Sequence, residues 1–265
     1  RIFPMELENM GQKEAENDIA IVHIDGNKMG IRFSECKTLA DRSQLSQKIK
    51  VKTEAAFASL LETICAEYDQ YEEILDLKRK GGQYLPIRPL ILGGDDVTFV
   101  CNGKMALIYA KRFIETMRED RYCEPIDCCA GIAILKTSYP FFRGYELAEQ
   151  ACDAAKAKSR KEDSSWLDFV ILHGEQAPTL EQIREQEYHG MLGNMHFGPY
   201  RLDDPASHVS VQKLLDCAAG LAKLPRNKVK ELRYVLQHGT HDAQRFLQQL
   251  KHDGNRLPAI AGWES

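Results

Sequence analysis

The sequence predicts an α+β fold: an antiparallel sheet with helices packed on one face, followed by a helical appendage. Three observations lead there. Across residues 18–172, short β-branched runs alternate with helical periods in the order β, long α, β-hairpin, α, β, α, β. The stretch "GGDD" at 93–96 separates two apolar runs, as a hairpin turn does. Beyond residue 178 the strand pattern stops and only helical periods remain. A chain of 265 residues, 43% hydrophobic and 28% charged, suits one large domain or two small ones.

Residues 1–17 are polar and read as an arm. "DIAIVHID" (18–25) is a buried strand, and "GNKMG" after it is a tight turn. From Ser34 to about Lys80, Leu45, Ile49, Phe57, Leu60, Leu61, Ile64, Tyr68, Tyr71 and Leu75 recur at helical steps, and Gly81-Gly82 ends the run. "PIRPLIL" and "VTFVC" form the hairpin. Lys104–Glu119 is an amphipathic helix, 126–135 a strand, 145–161 an Ala-rich helix and 166–172 a last strand. This order is that of an elaborated ferredoxin-like palm. The predicted domains are an arm (1–17), a palm (18–175) and a helical region (176–265), with helices at 179–187, 208–223, 226–238 and 241–252.

Composition narrows the function. No apolar run is long enough to span a membrane, and the start lacks a signal core. It also lacks an initiator Met, so a chain trimmed or cut from something longer is expected. The net charge of −4 does not by itself suggest a nucleic-acid partner. Eight cysteines without a C-x-x-C pair read as reduced core residues of a cytoplasmic protein rather than a zinc ribbon. From Lys223 to Arg256, eight Lys/Arg stand against three Asp/Glu. That is either a solvated appendage or a surface for an acidic partner such as RNA.

Three constellations could carry chemistry. Asp95 and Asp96 at the hairpin tip, with Asp25 at another strand end, are oxygen donors that a hard cation would draw together. Gly93 and Gly94 leave room for a phosphate; a plain surface turn is the alternative. In "DGNKMG" (25–30), the backbone N–H groups of Gly26, Asn27, Lys28 and Met29 could hold a triphosphate, or simply turn a strand into a helix. Lys156 and Arg160 share one helix face and can reach one anion, or be a solvated helix end.

Taken together, "HIDGNKMG", "LILGGDDVTFVC", "CAGIAI", "YPFFRGYELAEQACDAAKAKSR" and "SWLDFVILHG" resemble the GGDEF/nucleotidyl-cyclase superfamily. They are most similar to the GGDD palm of the large polymerase-like subunit of type III CRISPR complexes. The resemblance covers about residues 18–175. It implies condensation of ATP to a cyclic oligoadenylate or cyclic dinucleotide, with release of pyrophosphate, in antiviral defence. It implies two Mg²⁺ or Mn²⁺ ions on Asp25, Asp95, Asp96 and the Gly26 carbonyl. It implies nucleotide contacts from Gly26, Asn27, Lys28, Met29, Phe33, Gly93, Gly94, Lys156 and Arg160.

The departures are informative. The family's D-G-D reads D-G-N here, with Asn27 in place of the second Asp. Phe33 stands where GGDEF cyclases carry a guanine-reading Asn, which argues against a diguanylate cyclase and, together with the resemblance, leads to an expectation of ATP over GTP. An HD nuclease domain, a zinc ribbon and a partner palm are absent from these residues. One cradle holds one triphosphate, so a second palm is expected, from a homodimer or a larger, possibly RNA-containing, complex. The competing class is a silent palm that binds ATP as a structural or regulatory ligand in such an assembly.

Overall fold

This computed structural model describes residues 1–11, 17–77, 84–174, 179–191 and 193–257. The central strand, β1 (Asp18–Gly26), is buried at every residue from Ile19 to Ile24. Such a run without alternation marks a strand covered on both faces. It pairs antiparallel with β3 (Asp96–Asn102) on one side and β4 (Cys128–Lys136) on the other. β2 (Ile87–Gly93) forms the hairpin with β3. β5 (Trp166–Ile171) runs parallel to β4, so the sheet of this unit is mixed, in the order β2-β3-β1-β4-β5.

The parallel step needs a crossover, which α5 (Phe141–Ser159) supplies. It lies directly on β4: a Cβ at Gly131 would stand 1.9 Å from the Ala148 carbonyl oxygen and 2.3 Å from the Cys152 nitrogen. Only glycine permits that approach. On the other face, Phe57 of α2 (Leu39–Ala66) meets Phe99 of β3, and α4 (Ala106–Met117) packs beside α2. The two faces follow from register. Phe99 pairs with Val22, whereas the Gly144 backbone of α5 sits against Ile21, the next residue of β1. Helices therefore cover both faces, not the single face that element order suggested.

The long helix expected from Ser34 to Lys80 is three helices. α1 (Met29–Glu35) ends where Cys36 turns extended, and Thr38 with Asp41 builds a capping box that starts α2. Glu67 leaves helical geometry, at φ −90° and ψ 2°, before α3 (Tyr68–Leu75). Lys80, Gly81 and Gly82 lie outside the described residues. The expected arm is tied down: Met10 is fully buried, Leu85 N–H bonds the Ile2 carbonyl, and Arg1 stacks 3.8 Å from the Tyr68 ring centroid.

Two compact units result, Arg1–Ala177 and Pro178–Ser265. The second carries α6 (Leu180–Tyr188), α7 (Val211–Leu221), α8 (Arg226–His238) and α9 (Thr240–His252). α7 starts three residues later than expected because the Ser210 hydroxyl accepts from Lys213 N–H as its cap. α8 and α9 close on Val235, Phe246 and Leu250. Among the described residues no helix is long and apolar enough to cross a membrane.

Candidate active site

Three sequence segments meet at one end of the first unit's sheet. β1 delivers Asp25 and Gly26. The β1–β3 register, with Ile24 opposite Val97, carries on to set Asp25 beside Asp96. The hairpin tip, Gly94-Asp95, is held by Thr53 of α2, whose hydroxyl donates to the Gly94 carbonyl at 2.5 Å. Gly94 has φ +65°, the left-handed region that glycine enters without strain. The last turns of α5 bring Lys156 and Arg160.

A cavity of about 450 Å³ lies between them. Asp25, Gly26, Asn27, Lys28, Met29, Asp95, Lys156 and Arg160 all line it. Four other expected residues do not. Phe33 lies a turn further along α1, half-buried, and Ile31 holds the wall instead. Gly93 and Gly94 shape the hairpin behind Asp95. Asp96 belongs to β3 and turns toward His23, with 3.5 Å between Asp96 Oδ1 and His23 Nδ1.

The carboxylates are electrostatically uneasy. Burial raises the pKa of Asp95 above the usual range; a backbone hydrogen bond opposes this, and Asp25 and Asp96 repel it further upward. Burial likewise raises Asp96, with His23 opposing and Asp25 adding. Asp96 Oδ1 is buried without a hydrogen bond. Asp25 is paired instead: its Oδ2 accepts from the Lys156 ammonium. Burial pulls the Lys156 pKa down, but this bond and the nearby Cys152, Asp25 and Asp153 charges leave it raised.

Gly26 is where backbone and carboxylate come closest. A Cβ there would stand 2.8 Å from Asp95 Cβ and 3.3 Å from its Oδ2. Asn27 explains the D-G-N departure. Its amide Nδ2 donates to Ser159 Oγ at 2.9 Å and to the Ser164 carbonyl at 3.2 Å, tying the turn to the end of α5. An aspartate would present no donor to those acceptors. The Asn27 N–H is committed to the Asp127 carbonyl at 2.7 Å, so it does not serve the anion cradle that the sequence suggested. Lys28 adopts φ +62°, uncommon for a side-chain residue, and its Nζ bonds Asp163 at 2.5 Å.

His23, Ser159 and Asp163 escaped the sequence reading. A signal existed for His23: two residues before Asp25 in a strand, it must share that face. Among the described residues, no three His, Cys, Asp or Glu side chains are gathered as metal ligands. The donor set nevertheless fits a hard divalent ion. It is all oxygen, it includes Asp96 Oδ1, which no hydrogen bond satisfies, and its repulsion calls for positive charge.

The topology and this clustering define the class first: a nucleotide-cyclase or polymerase-like palm. More narrowly, the chain belongs to the family of the Cas10/Cmr2 second palm domain, which matches residues 18–165, over half its length. Among solved structures, Csm1 from T. onnurineus matches with a TM-score of 0.51 at 13% identity, over 97% of this chain and 36% of that one. The Csm1–Csm4 cassette in complex with pppApA matches at 0.50 and 12%, over 98% and 34%. The GGDEF domain of PA1120 from Pseudomonas aeruginosa matches at 0.36 and 15%, over 59% and 84%. The chain thus spans about a third of the Csm1 chains it resembles. No curated protein matches it.

Proposed function

We propose that this palm is a metal-dependent nucleotidyltransferase. It condenses ATP into a cyclic oligoadenylate or cyclic dinucleotide, releases pyrophosphate and serves antiviral defence. The observation that carries the reading is the single cavity lined by Asp25, Asp95, Lys156, Arg160 and the 26–31 turn. Support for adenine over guanine comes from the related Csm1–Csm4 cassette, solved with pppApA.

A ribose hydroxyl attacks the α-phosphate of a second nucleotide, the bond to the β-phosphate breaks, and the hydroxyl proton leaves to solvent. Asp25, Asp95 and Asp96, with the Gly26 carbonyl, are the residues that would hold Mg²⁺ or Mn²⁺. Two such ions, when bound, supply hydroxyl activation and charge neutralisation on the leaving group. Lys156 and Arg160 face the same space from one helix side and bind the phosphates once Lys156 releases Asp25. Gly26, bare of a side chain, leaves the phosphates room beside Asp95. The acceptor nucleotide comes from a second palm, as a second copy of this chain or in a larger assembly, since the cavity provides one cradle.

The test is ATP binding to the 265-residue chain with and without Mn²⁺, alongside assay for pyrophosphate and phosphatase-resistant adenylates. The expected result is binding that requires the metal and is lost in Asp25→Ala and in Asp95→Ala/Asp96→Ala. Metal-independent binding unaffected by those changes would leave the silent, ligand-holding palm as the better reading.

A further inference from the structure

The cluster of cations in the second unit is unused by the palm chemistry, and the structure sorts it. Lys228 is internal to the unit: it pairs with Asp253 at 3.1 Å and Glu231 at 3.5 Å, beside the Phe246 ring. Val235 and Leu232 join it on the inward side of α8. The outward side is different. Within α8, Arg226, Lys230 and Arg233 recur at steps of four and three, which puts them on one stripe, and Lys223 sits in the turn that precedes the helix. All four are exposed. Among the described residues, the one carboxylate within ion-pair range of any of them is Glu187, 4.0 Å from Arg233.

Beside this stripe the helix exposes two rings. Tyr234, 60% exposed, stacks on His238 with centroids 4.0 Å apart and planes 28° from parallel. The His238 Nδ1–H donates to the Tyr234 carbonyl at 2.8 Å, which fixes the imidazole against the phenol. A solvated helix face gains little from holding two aromatic rings in water. A basic track with an adjoining ring platform is what a strand of unpaired nucleotides requires: cations for the phosphates and a flat apolar face for a base.

We propose that the outer face of α8 and the turn before it, formed by Arg226, Lys230, Arg233 and the Tyr234–His238 ring pair with Lys223 from the turn, binds single-stranded nucleic acid. The chain's net charge of −4 does not oppose this, because binding responds to the local stripe. An acidic protein would meet the cations but has no use for the ring platform. The surface shares no residue with the ATP cavity, and its test uses neither ATP nor metal.

Fluorescence anisotropy of the full chain against a labelled RNA of about 15 nucleotides, its DNA counterpart and a duplex tests the proposal. Four cations on a single strand predict a log–log salt slope of about −2.8, or roughly fifty-fold weaker binding between about 50 and 200 mM salt. Arg226→Gln/Lys230→Gln should halve that slope to about −1.4. Tyr234→Ala should weaken single-strand binding at least about fivefold while leaving the slope unchanged. These side chains are exposed, so circular dichroism melting should be unaltered. Tighter binding of the RNA or the DNA names the sugar, and either result supports the surface. Unchanged affinity and slope in the double variant would overturn it. So would a Tyr234→Ala variant that binds normally while duplex or poly-glutamate competes as well as the single strand.

Discussion

Two glycines of the same "DGNKMG" turn should respond in opposite ways to one added methyl group. At Gly26 an alanine Cβ would stand 2.8 Å from Asp95 Cβ, 3.3 Å from Asp95 Oδ2 and 3.4 Å from Met29 Cγ. The first distance is well inside van der Waals contact, and Asp95 sits on a hairpin tip pinned by Thr53. The tip must move. Overpacking of this kind costs about 1–3 kcal/mol, or roughly 2–12 °C in Tm at some 2–4 °C per kcal/mol. At Gly30, inside α1, an added Cβ meets nothing within 4 Å. Alanine there should gain up to about 1 kcal/mol of helix propensity. Thermal melts without metal, paired with Mn²⁺-dependent ATP titrations, measure both. Gly26→Ala should melt lower and lose at least about tenfold in ATP affinity, the equivalent of 1.4 kcal/mol. A Gly26→Ala variant with unchanged Tm and affinity would refute the claim that Gly26 is bare so that Asp95 can sit against the backbone.

Other outcomes follow from the same geometry. The pKa values of Asp95 and Asp96 are raised by burial and repulsion, so the metal-free protein is favoured by protonation below the ordinary carboxylate range. It loses that stability as pH rises through the raised values. Asp95→Asn/Asp96→Asn should therefore raise the metal-free Tm at neutral pH and flatten its acid-side dependence, as pH-stepped melts would show. Lys156→Met should tighten Mn²⁺ binding measured alone, because Asp25 loses its resident cation, while weakening ATP binding in the presence of Mn²⁺. Parallel changes of both affinities would contradict the two roles given to Lys156. Gly131→Ala should abolish folding of the first unit in expression and circular dichroism trials, since its Cβ would enter the α5 backbone at 1.9 Å.

Much of the palm was legible because its signals are local. β1 reads as a β-branched run, the hairpin as apolar runs around GGDD, and α5 as an alanine-rich period. The helix breaks at 36–38 and at Glu67 were not legible from the apolar pattern. The periodicity of Ile49, Phe57 and Ile64 reports burial, whereas those breaks are decided by the Thr38–Asp41 cap and one backbone torsion. The second covered face was signalled by the unbroken apolar run of β1, but the order of the elements alone does not say on which face each helix packs. In the site, strand ends located Asp25 and Asp95, and helical spacing located Lys156 and Arg160. Phe33, named through the resemblance, lies a turn along α1 beyond the cavity-lining residues, which sequence spacing alone does not show. Asn27 looked like a lost ligand. Its use as a strut became visible only with Ser159 and Ser164 beside it.

Paired carboxylates that interrupt a sheet, as Asp95 and Asp96 do, are tolerable because of how the protein distributes charge around them. Neighbouring carboxylates repel, and burial with this repulsion raises the pKa of Asp95 and Asp96. The fold gives each of the three aspartates a different accommodation. Asp25 takes the Lys156 ammonium from α5. Asp96 turns toward His23 on the neighbouring strand. Asp95 rests against the backbone of Gly26, partly buried and raised in pKa. None of these arrangements satisfies every oxygen, and Asp96 Oδ1 is left without a hydrogen bond. A site relieved of all repulsion would resist an incoming cation, and one with no relief would destabilise the sheet end. Lys156 lets the same residue do both tasks in turn. It is the counter-ion of Asp25 in the structure, and on the proposed reading it stands one helical turn from Arg160 to meet a polyphosphate. That exchange couples occupancy of the carboxylates to occupancy of the basic face, so metal and nucleotide should enter with positive cooperativity.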